Sequence, residues 1–133
     1  MVRWLEYHKD PVTLHSGGRS HWLVRGDLIF ADENLRELVL DCWERTLETW
    51  SPPFTIVPVP TGGDVWAAAL LKRLGGLRAR PDSFHYRVIV DDVVTTGNSI
   101  LADENAHVRL AVVDRRDHRD HVFSWATIYL PLL

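Results

Sequence analysis

Arg87-Val88-Ile89-Val90-Asp91-Asp92-Val93-Val94-Thr95-Thr96-Gly97-Asn98-Ser99 decides the fold of this chain. It opens as a buried strand rich in β-branched aliphatics. It then places two adjacent carboxylates, Asp91 and Asp92, where the strand should end. Small hydroxyl and glycine residues follow, where a helix could begin. In an open α/β sheet, ligands bind beyond the carboxyl ends of the strands. The backbone N–H groups and hydroxyls of Thr95, Thr96, Gly97, Asn98 and Ser99 suit a phosphate. Asp91 and Asp92 repel a phosphate. They suit the hydroxyls of a sugar that carries one, or a Mg2+ ion beside it. Chemistry alone therefore points to a sugar-phosphate site, and an ordinary strand with a polar turn is the plain alternative.

Working outward, the same alternation recurs. Phe54 to Val59 is a second buried-strand candidate. Pro60-Thr61-Gly62-Gly63 then turns into a helix expected from Asp64 to Leu74, which Gly75-Gly76 stops. Val108 to Asp114 and Val122 to Leu130 are further strand candidates, and a short helix is expected from Ser99 to Asn105. Strand–helix–strand order implies right-handed crossovers and a parallel sheet. Upstream, Leu35, Leu38, Val39, Cys42, Trp43, Leu47 and Trp50 repeat at helical spacing, giving a helix from Leu35 to Trp50. Asn34 and Glu37 offer a reduced capping box, and Ser51-Pro52-Pro53 ends the helix. The first thirty residues read as β structure. Val12–His15 and His21–Val24 flank the turn Ser16-Gly17-Gly18-Arg19-Ser20, and Asp27 to Phe30 extends or follows the second strand. The expected fold is α/β, with a mainly parallel twisted sheet flanked by helices and a small N-terminal β hood.

The 133 residues are enough for one domain with one substantial core. No apolar run approaches the ~20 residues of a membrane span, so no membrane association is expected. The N-terminus lacks the apolar stretch of a secretory signal. A net charge of −3 gives no reason to expect nucleic-acid binding. The single Cys42 excludes an internal disulfide and fits a reducing cytoplasm; it falls on the apolar stripe of its helix, as a packing residue does. His118 and His121 are three apart, but Arg116 and Arg119 beside them argue for a solvated loop rather than a metal site.

V-I-V-D-D-V-V-T-T-G-N-S resembles the phosphoribosyl pyrophosphate (PRPP) signature of the type I phosphoribosyltransferases. The resemblance implies that Asp91 and Asp92 hold the ribose hydroxyls and Mg2+. It implies that the PRPP-binding run continues through Val93 and Val94, with Thr95, Thr96, Gly97, Asn98 and Ser99 on the 5′-phosphate. V-P-T-G-G-D-V-W-A-A-A-L is similar to the family's pyrophosphate loop, which assigns Thr61, Gly62 and Gly63 to the diphosphate; a plain tight turn is the commoner explanation of a Gly-Gly pair taken alone. Thr13 to Trp22 resembles the N-terminal segment of orotate phosphoribosyltransferases, which puts Ser16, Arg19 and Trp22 against the base, with His15 where a Lys is usual. A surface hairpin is the alternative there. Val113-Asp114-Arg115 is similar to the strand end of that same branch. Arg115 would then meet the carboxylate of orotate, against an alternative of a surface ion pair with Asp114 or Asp117.

The chain resembles a shortened form of the family. Orotate phosphoribosyltransferases carry a long mobile loop with basic residues between the pyrophosphate helix and the PRPP strand. Only the twelve residues from Gly75 to Tyr86 fill that gap here. Arg78 or Arg80 on this connection replaces the loop cation in one reading, and belongs to a solvated basic face in the other. The expectation is an enzyme of pyrimidine nucleotide metabolism that performs Mg2+-dependent phosphoribosyl transfer between PRPP and a nucleobase, orotate favoured. Asp91, Asp92, Arg78 and Arg80 would carry the chemistry, slowly because the lid is short. A non-catalytic module that binds PRPP or a nucleotide is the alternative. Family relatives often dimerise, which leaves room for a homodimer.

Overall fold

The computed structural model describes residues 2–50, 53–75, 86–117 and 120–133. Strands β1 (Leu5–Thr13) and β2 (Arg19–Val24) form an antiparallel hairpin. Helices α1 (Gly26–Ala31) and α2 (Glu33–Leu47) follow. Then come β3 (Phe54–Pro58), α3 (Gly62–Leu74), β4 (Tyr86–Val94), β5 (Val108–Asp114) and β6 (Phe123–Thr127). β3, β4, β5 and β6 pair in that order, all parallel. The fold is thus the α/β architecture with an N-terminal hood that the sequence implies.

The apolar stripe of α2 buries Val39, Leu40, Trp43 and Leu47 against Val88, Val90, Leu110 and Val112 of the sheet. Trp66 and Leu70 of α3 join the same cluster. Trp43 and Trp66 meet edge to face, 5.6 Å between centroids, and Phe30 meets Trp66 at 4.9 Å, which adds to the area that these rings bury. The Trp43 indole N–H donates to the Ala111 carbonyl at 3.0 Å, so the large ring is buried without an orphaned donor. On the opposite face, Ile89 and Ala111 pack against Ile100, Val122 and the partly buried Leu101 and Ala106. The described helices therefore cover one face, and the chain after β4 covers the other.

Four local expectations are corrected. Asp27 to Phe30 is not strand but part of α1, because it follows Gly26 into a helical turn closed by Ile29 N–H on the Arg25 carbonyl. The cap of α2 is Asp32, whose carboxylate accepts from Leu35 N–H at 3.1 Å, rather than Asn34. β4 does not end at Asp91 but continues through Val94, paired with Asp114. The short helix expected from Ser99 to Asn105 is a series of turns, such as Leu101 N–H on the Gly97 carbonyl. No described helix is long and apolar enough to cross a membrane.

Candidate active site

The site lies where β3 stops and β4 continues. Pro58 pairs with Val90 as the last register pair of β3. Asp91 and Asp92 therefore project past the end of the neighbouring strand, although they remain inside β4. The chain from β3 turns over them. Val59 N–H donates to the Val90 carbonyl at 2.8 Å, and the Pro60–Thr61 peptide, which is cis, leads into α3. Gly63 sits on the Val90 carbonyl, where any side chain would meet backbone. Gly62 and Gly26 both face the Asp92 carboxylate; a Cβ on Gly26 would lie 3.0 Å from Asp92 Oδ2.

These elements enclose a cavity of about 510 Å3, within the range of small-ligand sites. Thr61 and Gly62 stand on one side, Thr95, Thr96, Gly97 and Ser99 on another, and His15 and Ser16 come from the hood turn. Asp91, Asp92, Val93 and Val94 form the floor, and Leu14, Leu23, Val24, Val59 and Ile100 supply apolar wall. The loop carries Gly97 at φ 89°, a conformation that glycine adopts freely.

Electrostatics distinguish the two carboxylates. Asp91 is 7% exposed. Burial, and after it the hydrogen bond and charge of Asp92, push its pKa up to about 8. Asp91 Oδ1 accepts from Asp92 N–H at 2.8 Å, and Asp92 Oδ1 accepts from Val93 N–H at 2.7 Å. The pair is thus held by its own backbone and carries a proton near neutrality. No group of three or more metal-ligating side chains occurs among the described residues. Two adjacent hard oxygen donors are nonetheless what Mg2+ uses when substrate phosphates complete its shell.

Arg115 is 2% exposed and lines the cavity. Its guanidinium donates to the Trp22 carbonyl at 2.9 Å, to Ser20 Oγ at 2.9 Å and to the Leu130 carbonyl at 3.2 Å. All three partners are uncharged, and Nε is buried without a partner. Asp114 is engaged instead by Arg116, at 2.8 Å. The ion-pair reading of Arg115 with Asp114 therefore falls; Arg115 is a buried cation without a carboxylate among the described residues. Burial alone pulls its pKa down.

Of the residues expected around a base, Ser16 and Arg115 reach the cavity wall. Arg19 and Trp22 do not. Arg19 is exposed at the start of β2, where its carbonyl accepts from Leu133 N–H. Trp22 turns toward Tyr7, 5.0 Å away edge to face, and packs on the main core. Asn98 is exposed and outside the wall, and Gly63 lies beneath the turn rather than on it. Arg78 and Arg80 lie outside the described residues. His15, where the family usually has a Lys, stands on the wall, and Gly26 was missed, since nothing in Arg25-Gly26-Asp27 announces that it will face Asp92.

No family model and no curated protein matches the sequence. Solved structures do match. Orotate phosphoribosyltransferase from Aeropyrum pernix aligns with 93% of this chain and 88% of its own, at 27% identity and a TM-score of 0.65. The Mycobacterium tuberculosis enzyme of the same name, in complex with inorganic phosphate, aligns over 95% of this chain and 90% of its own, at 19% identity and a TM-score of 0.66. Orotate phosphoribosyltransferase of Francisella tularensis aligns over 94% and 81%, at 16% identity and a TM-score of 0.58. At 19% and 16% identity the likeness is one of fold.

Proposed function

We propose that this chain, whose fold is that of the type I phosphoribosyltransferases and most like their orotate branch, transfers phosphoribosyl groups between PRPP and a nucleobase, with orotate as the favoured base. The observation that carries this reading is the meeting of three parts on one cavity. These are the Asp91–Asp92 pair, the loop of residues 95–99, and the turn at Thr61 and Gly62. Asp91 and Asp92 take the ribose hydroxyls. The loop takes the 5′-phosphate through backbone N–H groups and the hydroxyls of Thr95, Thr96 and Ser99. Thr61 and Gly62 offer backbone at the start of α3 to the diphosphate, and Gly63, whose N–H is engaged by the Val59 carbonyl, supports the turn from beneath. Ser16 and Arg115 meet the base, and the positive charge of Arg115, buried on the cavity wall without a carboxylate partner among the described residues, favours an anionic group such as the carboxylate of orotate.

In the reaction the bond from the anomeric carbon to a diphosphate oxygen breaks and a bond to a base nitrogen forms. The products are a nucleoside monophosphate and pyrophosphate. Positive charge builds on the sugar, and Asp91 and Asp92 lie beneath it. Mg2+ would be held by these two carboxylates and would neutralise charge on the leaving diphosphate. Arg78 or Arg80 is the proposed cation for the leaving group.

A specific feature favours a second reading, a module that binds PRPP or a nucleotide without turning it over. Residues 75–85 alone connect α3 to β4, a short span for a closing loop with cationic side chains. Turnover of Mg2+-PRPP with a panel of bases, beside calorimetric binding of PRPP and nucleoside monophosphates, separates the two. Product nucleotide supports transfer; tight binding with no turnover on any base supports the module. Neither binding nor turnover sinks both.

A further inference from the structure

The phosphate loop lacks the helix that was expected behind it, so no helix dipole supports an anion there. Among the residues lining the cavity, the titratable side chains besides Asp91 and Asp92 are His15 and Arg115, and Arg115 donates to the hood and to Leu130. The loop has its own cation from below. Arg116 is 9% exposed, and its Nε and one terminal nitrogen grip the Asp114 carboxylate at 3.0 and 2.8 Å. The gripping terminal nitrogen, Nη2, also donates to the Asp120 carbonyl at 3.1 Å. The other terminal nitrogen, Nη1, has no acceptor among the described residues. It lies under Gly97, where an added Cβ would stand 3.0 Å from it.

We infer that Arg116 is a positioning residue for the 5′-phosphate: clamped by Asp114, it props Gly97 from beneath and turns the positive end of the Asp114–Arg116 pair toward the phosphate loop. This rests on the proposed role of residues 95–99. The fork geometry matters because it fixes where the third nitrogen points. Asp114 is fully buried, so the pair is little screened by solvent. Glycine at position 97 lets the guanidinium approach the loop backbone directly, and the charge acts through the loop rather than by contact with substrate. At an effective interior dielectric, a unit charge several ångströms from a phosphate is worth on the order of a tenfold change in affinity after its partner is discounted.

The test compares Arg116→Gln, which keeps a hydrogen bond to Asp114 without charge, with Arg116→Lys, which keeps charge without the fork. Calorimetric affinity for ribose 5-phosphate is measured at several salt concentrations, with the thermal midpoint of each variant. The expected result is that Arg116→Gln loses about tenfold in affinity and shows a shallower salt dependence, while Arg116→Lys stays within about threefold of the parent. Equal losses in both variants, or an unchanged salt dependence in Arg116→Gln, would overturn the inference, since a merely structural role does not follow charge. Gly97→Val separates this from the underlying reading. If Gly97→Val abolishes binding and Arg116→Gln does not weaken it, Arg116 alone is excluded. If Gly97→Val leaves binding intact, the loop is not the phosphate site and the role of Arg116 falls with it.

Discussion

At the scale of single residues, Asp91 sets the pH behaviour. Its pKa in the folded chain is about 8, against an ordinary aspartate value of 3.8. The folded state therefore binds more protons than the unfolded state between those values, so stability is greatest below about pH 4 for this group and is lost as pH rises towards 8. Thermal midpoints of the parent should fall across that window relative to those of Asp91→Asn, whose difference from the parent should flatten above pH 8. A parallel pair of curves would mean that Asp91 is ionised throughout. The same proton opposes a cation, so Mg2+-PRPP should bind more tightly as pH climbs to 8. Asp91→Asn and Asp92→Asn should each weaken Mg2+-PRPP while leaving inorganic phosphate nearly unaffected, because the proposed role of the carboxylates is toward ribose and metal. Equal losses for both ligands would point to damaged structure instead.

At the scale of elements, the turn between β3 and α3 depends on close backbone contact. Gly63→Ala would push a methyl group into the Val90 carbonyl, with β4 unable to retreat from its pairing on both sides. It should cost about 1–3 kcal/mol in denaturant unfolding and disturb diphosphate binding together. A neutral result would show that α3 can slide along the sheet. Elements fixed by dense local pattern were legible in the sequence. β5 spans Val108–Asp114 as its aliphatic run dictates, and the stripe of α2 is the one that packs. Elements that depend on neighbours were not. β4 runs on through Val94 because β5 offers partners as far as Asp114, which no local signal contains. Asp27 to Phe30 is apolar enough for a strand, but its place between the hood and α2 makes it helical. The order of the site motifs was legible because the turn after β3, the loop after β4 and Arg115 after β5 each follow a strand end, although Asp91 and Asp92 lie within β4. The base-side residues were less so: Trp22 faces the core through the alternation of β2, which the sequence leaves in either register.

At the scale of the whole molecule, Arg115 joins three parts. Its guanidinium links the hood at Ser20 and Trp22 to the chain near Leu130, while its own backbone N–H donates to Val94 at the end of β4. The hydroxyl of Ser20 adds a bond to the Pro131 carbonyl at 2.8 Å. Arg115→Gln should therefore do two things. It should lower stability by about 1–3 kcal/mol through orphaned buried carbonyls, and among the molecules that remain folded it should erase any preference for orotate over uracil. A retained preference would place the base elsewhere.

The most direct measurement is product formation when the intact chain is mixed with PRPP, Mg2+ and orotate, followed as nucleoside monophosphate and pyrophosphate in equal amounts, with Asp92→Asn alongside. The account predicts equimolar products from the parent and a large loss in the variant. Absence of nucleotide product, or equal product from the variant, would contradict it.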